Sequence, residues 1–418
     1  MLAFHPLLRI YRYLMRARFL IAVHCAVALV PLSSIEAASD SVREPVYKLE
    51  PFVVRDRGLE AAPVSLPASV TRLDLEDIQK ASAQLSINES LQTVPGVFAL
   101  NPYNYAQDSR IAIRGFGARS DFGIRGIRVV VDDIPATLPD GQGGVDGIDL
   151  GTAQEIEIIR GPAAAIYGPA SGGVIRIKSE EAPATPFSEL RMLGGSYGLF
   201  KSQFKAGYDE GPWNVLVGAT RLDYSGYRDH SRTENSIFNT RLRYAFKDGS
   251  ELTTVVNAID YPMQNDPGGL TAGEVEADRR QARDRNLQYD SGEEVRQQKL
   301  GFAYRRPISD NQALKVHAFL VNRDFANRLP FVDGGQVSFE RRFAGLGARY
   351  AFGGETVSWT LGAEVGRQDD ARKNYDNPDG AQGPLDLEQD EEVINFGSFL
   401  AAEWTPADQL SFSAALRY

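Results

Sequence analysis

Four histidines and one cysteine narrow the chemistry open to this 418-residue chain. His5 and His24 lie near the N-terminus, His230 in a polar stretch and His317 in an alternating one. A hydrolase triad or a zinc site would need them clustered. Cys25 lies within an apolar N-terminal run, so a chain processed beyond it would have neither thiol nor disulfide. Gly115-Phe116-Gly117 and Gly141-Gln142-Gly143-Gly144 lack both the strand–GxGxxG–helix order and the P-loop lysine, and read as tight turns. Asp132 with Asp133, and Asp146 with Asp149, could hold a cation, although turn chemistry accounts for them equally well. The expectation is a protein that is not an enzyme and has no resident metal or cofactor. Its net charge of −10 argues against nucleic acid as a partner.

Charge is concentrated instead in Arg114, Arg119, Arg125, Arg128, Arg160 and Arg176. If the unit that carries them is enclosed, each must find a carboxylate or bear a large desolvation cost.

The elements that would position these residues fall into four segments. Arg9, Arg12, Arg16 and Arg18 precede an apolar run from Phe19 to Leu32 and the small residues Ala37 and Ala38, so residues 1–38 read as a secretory signal peptide. Residues 39–62 are polar and read as an extension. Residues 63–183 read as a compact mixed α/β unit. It has short helices over 74–80 and 87–94, the second stopped by Pro95-Gly96, and strands over 109–114, 127–132, 155–160 and 173–178. Residues 156–177 read as strand, glycine-rich turn, strand.

Residues 184–418 alternate. Phe200, Phe204 and Tyr208 oppose Lys201, Gln203 and Lys205; Trp359, Leu361 and Val365 oppose Thr360, Gly362 and Glu364; Leu410, Phe412 and Leu416 oppose Ser411, Ser413 and Arg417. Successive side chains of a strand point to opposite faces, so each strand has one apolar and one polar face. Strands of about ten residues or more suit a membrane barrel better than a soluble sandwich, whose strands average about five or six. Short turns near 209–212, 247–250, 307–311, 353–354 and 405–408 alternate with longer connections at 226–233, 262–293, 326–335 and 369–392. That asymmetry is typical of outer-membrane barrels. The expected strand count is about eleven.

The order Ile111-Ala112-Ile113-Arg114-Gly115-Phe116-Gly117, Ile127 to Pro135, then Ile156 to Ile177 resembles the plug of TonB-dependent outer-membrane receptors. The resemblance spans roughly residues 46–418. It implies a mixed α/β plug domain at 63–183 and, at 184–418, the N-terminal half of an antiparallel transmembrane β-barrel. Barrels of this family have about twenty-two strands, so the chain reads as truncated. The resemblance also implies active uptake of an iron–siderophore or similar metal chelate across the cell outer membrane. Import of cobalamin, carbohydrate or another nutrient remains an alternative, as does a passive pore or a non-functional remnant. The implied partners are TonB, outer-membrane lipid and the chelate, with a monomeric receptor. Residues 39–62 would then be a periplasmic extension, with Leu49, Glu50, Pro51, Phe52, Val53 and Val54 as the segment that pairs with TonB by strand addition. Arg114 and Arg160 would face Glu364 and Glu403 on the barrel wall as a plug–barrel latch. Tyr103, Tyr105, Arg119 and Phe122 would lie in outward loops that meet the substrate.

Overall fold

The computed structural model describes residues 69–418 except positions 81, 102, 121–122, 162–163, 355 and 408–409. The expected signal peptide, the expected extension with Leu49 to Val54, and Phe122 therefore lie outside the described residues.

The N-terminal unit is a plug built on a five-stranded mixed sheet. Its strands are β1 (Ser69–Leu73), β2 (Val97–Leu100), β3 (Arg110–Ile113), β4 (Ile124–Arg125), β5 (Ile127–Val131), β6 (Ile134–Pro135), β7 (Gln142–Gly143), β8 (Ala153–Arg160) and β9 (Gly173–Ser179). The main sheet runs β1-β8-β9-β5-β6, while β2 pairs with β3 and β4 with β7. Only β5 and β9 are parallel neighbours within it. Helices α1 (Leu75–Gln79) and α2 (Asn88–Leu91) follow the expected places, and Asp74 caps the first in a reciprocal pair with Asp77.

β8 is buried on both faces, which accounts for its run of apolar residues. Ile156 and Ile158 join Ile175, Ile177, Leu91 and Ile78 in one core, while Ile159 packs with Val174 and Ala170 on the other side. Each such side chain withdrawn from water contributes about 1.5–3 kcal/mol. Glu157, buried among them, is held by its register neighbours Arg72 and Arg176, each at 3.0 Å.

The plug differs from expectation in several places. β1, at the sheet edge, and the short strands β2, β4, β6 and β7 were not anticipated, and the turn between β8 and β9 contains a one-turn helix, α3 (Ala164–Tyr167). Two glycines of the motifs are required by geometry. Gly117 has φ +89° and Gly173 φ +144°, and a β-carbon would come 2.5 Å from the Ile111 carbonyl oxygen and 2.1 Å from that of Ile159, respectively.

The second unit is a single antiparallel sheet of eleven strands in sequence order. These are β10 (Phe187–Gly195), β11 (Leu199–Glu210), β12 (Trp213–Tyr224), β13 (Thr233–Ala245), β14 (Glu251–Asn265), β15 (Gly292–Ser309), β16 (Gln312–Arg328), β17 (Gln336–Gly353), β18 (Val357–Tyr375), β19 (Leu385–Ala407) and β20 (Leu410–Arg417). β10 and β20 are its two edges. No helix among the described residues is long and apolar enough to cross a membrane.

The faces of this sheet are inverted relative to a soluble protein. Lys201 is 6% exposed and Phe200 47%. The polar side packs against the plug, and the apolar side faces out. Register aligns outward leucines across strands, as in Leu361, Leu400 and Leu416 or Leu300 and Leu320. At the short-turn end, aromatic rings line up. Trp213 meets Tyr244 at 4.5 Å, Tyr244 meets Phe246 at 4.7 Å, Tyr350 meets Phe352 at 5.4 Å, and Trp404 meets Phe412 at 5.4 Å. Such a row is what an apolar band has where it meets the membrane interface.

Long and short connections alternate after β11. Two of the long ones are smaller than expected. Residues 369–392 are mostly strand, because β18 continues to Tyr375 and β19 begins at Leu385, and 262–293 contracts to 266–291 with helices α4 (Ala272–Ala277) and α5 (Asp284–Gln288). The β18–β19 arms are joined by ion pairs such as Lys373–Glu388 at 2.8 Å and Arg367–Glu392 at 3.1 Å. Both faces there are charged, so an alternation of apolar residues could not reveal the strands.

Candidate functional site at the plug–wall interface

The contacts between plug and barrel wall are largely polar, apart from an apolar patch where Ile134 and Leu138 of the plug pack with Val255, Phe319, Val321 and Phe343 of the wall. At one end, Lys201 Nζ donates to the carbonyls of Ala83 and Gln84, and Lys205 forms an ion pair with Glu180 at 2.8 Å. Gln203 donates to Asp149, which also accepts from Thr220 at 3.0 Å. These wall residues have the alternating parity of β11 and β12, so a local pattern aims them all at the plug.

Deeper along the wall, Arg128 of β5 meets Glu364 of β18 at 3.1 Å, and Arg417 of β20 binds the other oxygen of the same carboxylate. Arg128 is 6% exposed and Glu364 16%. Burial pushes the Arg128 guanidinium below its ordinary value, with Glu364 opposing the shift. Beside them, Asp133 bridges Arg176 of β9 at 3.4 Å and Lys315 of β16 at 3.7 Å. Burial alone would raise the Asp133 carboxyl, but Lys315, Arg176 and Arg349 outweigh it and hold it at about 2. Arg72, Glu157, Arg176, Asp133 and Lys315 thus form an alternating chain of charge from the edge strand of the plug to the wall.

The residues expected to form a latch are not all brought together. Glu364 does face the plug, but its partner is Arg128. Arg160 stays within the plug and donates to Ser69 at 2.8 Å, Thr71 at 2.7 Å and the Pro95 carbonyl, because β1 lies beside it in the sheet. Arg114 follows β3 with φ +50° and is exposed. Glu403 is near a short turn and accepts from Ser411 at 2.9 Å. The signal for Arg128 was present in the sequence: a lone arginine in the otherwise apolar strand Ile127–Val131 demands a buried partner.

Above these contacts, plug and wall enclose a cavity of about 360 Å³ that runs beside β13 to β18. Its lining includes Asp108 and Asp146 from the plug and Arg323, Phe325, Phe339 and Arg341 from the wall. Phe325 and Phe339 stack at 4.8 Å, with the Arg341 guanidinium 4.6 Å over the Phe339 ring. Arg323 pairs with Asp146 at 2.7 Å and Arg341 with Asp370. Burial raises the Asp108 carboxyl, as does the negative charge of Asp146. These wall residues were missed because their alternation marks a polar face without marking a cavity.

A smaller adjoining cavity of about 110 Å³ includes Tyr105. The Tyr105 ring meets Tyr224 edge-on at 6.3 Å, and burial raises its phenol. Tyr103, 75% exposed, and Arg119, also exposed, do not line either cavity. Asp266, in the β14–β15 connection, accepts from Asn104 and Gln107 of the plug at 2.8 and 2.9 Å. An outer loop is thereby tied to the segment carrying Tyr105.

Residues 62–174 match the family model described as the TonB-dependent receptor plug domain. The vitamin B12 transporter BtuB of Photobacterium profundum is 31% identical over 199 residues, which is 46% of this chain and 30% of that one. The ferrioxamine receptor of Yersinia enterocolitica is 27% identical over 216 residues, 50% of this chain and 28% of that one. The match thus spans less than a third of the length of these curated relatives. The crystal structure of the ferric yersiniabactin uptake receptor FyuA from Yersinia pestis superposes with a TM-score of 0.68 at 17% identity, over 84% of this chain and 56% of that one, a likeness of fold. Residues 62–174 thus match the TonB-dependent receptor plug domain, and the fold of the chain, a plug seated against a partial barrel, is like that of the FyuA structure.

Proposed function

We propose that the chain is the plug-bearing part of an outer-membrane receptor that takes up an iron–siderophore or similar metal chelate, with work supplied by TonB. The observation that carries this reading is the inverted sheet. Its apolar face suits lipid, and its polar face grips the plug beside a cavity lined by arginine and aromatic side chains. Those side chains can bind a chelate through charge and ring faces without altering any bond in it. Tension on Leu49 to Val54 would reach the plug through β1, an edge strand whose only sheet neighbour among the described residues is β8. Wall edges β10 and β20 would leave backbone groups unpaired in lipid, at several kcal/mol each. The transporting form therefore has both edges paired by further strands.

The test is uptake of ferric citrate, ferrioxamine B and cyanocobalamin by cells with and without TonB, using a receptor whose barrel is closed. Accumulation of a ferric chelate only when TonB is present is the expected result, and Val53→Pro should abolish accumulation while surface binding persists. TonB-independent entry of all three would refute energised uptake and support a pore. Cobalamin is the second reading, favoured by the relative described as a vitamin B12 transporter; exclusive uptake of cyanocobalamin would establish it.

A further inference from the structure

We propose that the inner wall from β13 to β18 is an anion path whose cations are covered by carboxylates of the plug, so that the cargo is an anionic chelate. This specifies the substrate class of the uptake reading and rests on it.

Polarity is the first observation. Ion pairs that cross from the wall to the plug or its exit segment put the cation on the wall: Lys205–Glu180, Arg241–Glu181, Lys315–Asp133 and Arg323–Asp146. Among the described residues Arg128–Glu364 reverses that order.

Register supplies the second. Arg341 pairs across the sheet with Asp370, and Arg372 lies two residues further out on β18. Arg323 stands directly opposite Arg341. Gln297 is opposite Arg323, and Lys299 is two residues further in on β15. Lys299 faces Asn257, Asn257 faces Asn239, and Arg241 is two residues further in again. Each step is about 7 Å, so the cations descend about 20 Å along the strands. All five line the same cavity.

The third observation is where the counter-ions sit: Arg341 and Arg372 pair with Asp370 and Glu391 of the wall, Arg323 with Asp146 of the plug and Arg241 with Glu181 of its exit segment. Like charges directly opposite on neighbouring strands are destabilising, yet Arg323 and Arg341 are so placed, each restrained by one aspartate. Lys299 has no carboxylate within ion-pair distance among the described residues. Arg241 is 8% exposed, and its Nε and Nη1 have no hydrogen-bond partner. Arg341 and Arg372 are compensated by the wall itself, whereas the counter-ion of Arg323 belongs to the plug and Lys299 has none among the described residues, so withdrawal of Asp146 would leave neighbouring wall cations open. An anionic cargo would take that place, exchanging with Asp146 at Arg323 and meeting Lys299 and Arg241 further in.

The test is equilibrium binding of ferric citrate (anionic), cyanocobalamin (neutral) and ferrioxamine B (cationic) to outer-membrane vesicles that hold the full chain. Ferric citrate is expected to bind in preference and to weaken with salt. Lys299→Gln should weaken it about fivefold to tenfold, the effect of one charge some 7 Å away at an effective dielectric constant of roughly 40. Asp146→Asn should tighten it by a similar factor, because Arg323 loses its plug counter-ion. Trypsin resistance of the plug checks that each variant is folded, and Lys299→Gln, which orphans no carboxylate, decides the matter if Asp146→Asn loosens the plug. Preference for the neutral or cationic probe would overturn the anion path. So would unchanged ferric citrate binding in folded Lys299→Gln, which would make the ladder a structural counter-ion network only. Failure of TonB-dependent uptake with this binding pattern intact would refute the uptake reading and leave the anion path standing.

Discussion

Replacing Glu364 by glutamine keeps the shape of the side chain and removes its charge. That charge serves two guanidiniums: Arg128 of the plug at 3.1 Å and Arg417 of the wall. A unit-charge pair at 3.1 Å is worth about 5 kcal/mol at an effective dielectric constant of about 20. Breaking a buried pair from one side costs about 3–5 kcal/mol. Most of the loss should fall on Arg128, which is 6% exposed, whereas Arg417 at 17% can recover some hydration. The plug should therefore open locally with amide exchange in β5 and β9 accelerated by about 10²- to 10³-fold, while β12 to β14 exchange as before. Arg128→Met should cost less, because Glu364 keeps Arg417. Hydrogen exchange read by mass spectrometry resolves both variants. Acceleration of less than about fivefold in Glu364→Gln, equivalent to under about 1 kcal/mol, would refute the claim that this pair holds plug to wall. So would a larger effect from Arg128→Met.

Gly173→Ala places a β-carbon 2.1 Å from the Ile159 carbonyl oxygen at a φ of +144°; a loss of about 3 kcal/mol or more in plug stability is expected, measured by denaturant-dependent proteolysis. Asp108→Asn removes a carboxyl whose folded value is raised by burial, then by Asp146. Because ionisation of such a group disfavours the folded state as pH rises past the ordinary 3.8, the variant should be more stable than the parent at neutral pH and equal to it in strong acid, as thermal unfolding across pH would report. Asp133 is the opposite case: its folded value of about 2 lies below the ordinary 3.8. Its contribution should persist above pH 3.8 and disappear as pH falls towards 2, and Asp133→Asn should abolish that acid-sensitive fraction of plug protection.

The expected elements were most legible where one local period held. β5, β8 and β9 are rich in β-branched residues, and the wall strand β11 and the first half of β18 alternate, so each announces its type and its faces within a few residues. β1 was missed because its five residues Ser-Val-Thr-Arg-Leu show no distinctive burial pattern and become a strand only by pairing with β8. The outer arms of β18 and β19 were missed because water touches both faces and no apolar alternation is required. The aromatic row along the short turns draws on β12, β13, β17, β19 and β20 and becomes visible only when register brings the rings together.

What the sequence determined alone was the chemistry of each face: period-two alternation is a property of neighbouring residues, and it required an inverted sheet around a polar interior. It also required that the enclosed plug arginines find carboxylates. Which carboxylate each one meets was decided by tertiary structure. Arg128 and Glu364 are 236 positions apart, and their meeting depends on the register of the eight strand pairings from β10 to β18 and on where the plug sits against them. Charge attracts every opposite charge without regard to sequence distance, so only the folded geometry selects among the plug arginines and leaves Arg160 beside β1 rather than on the wall.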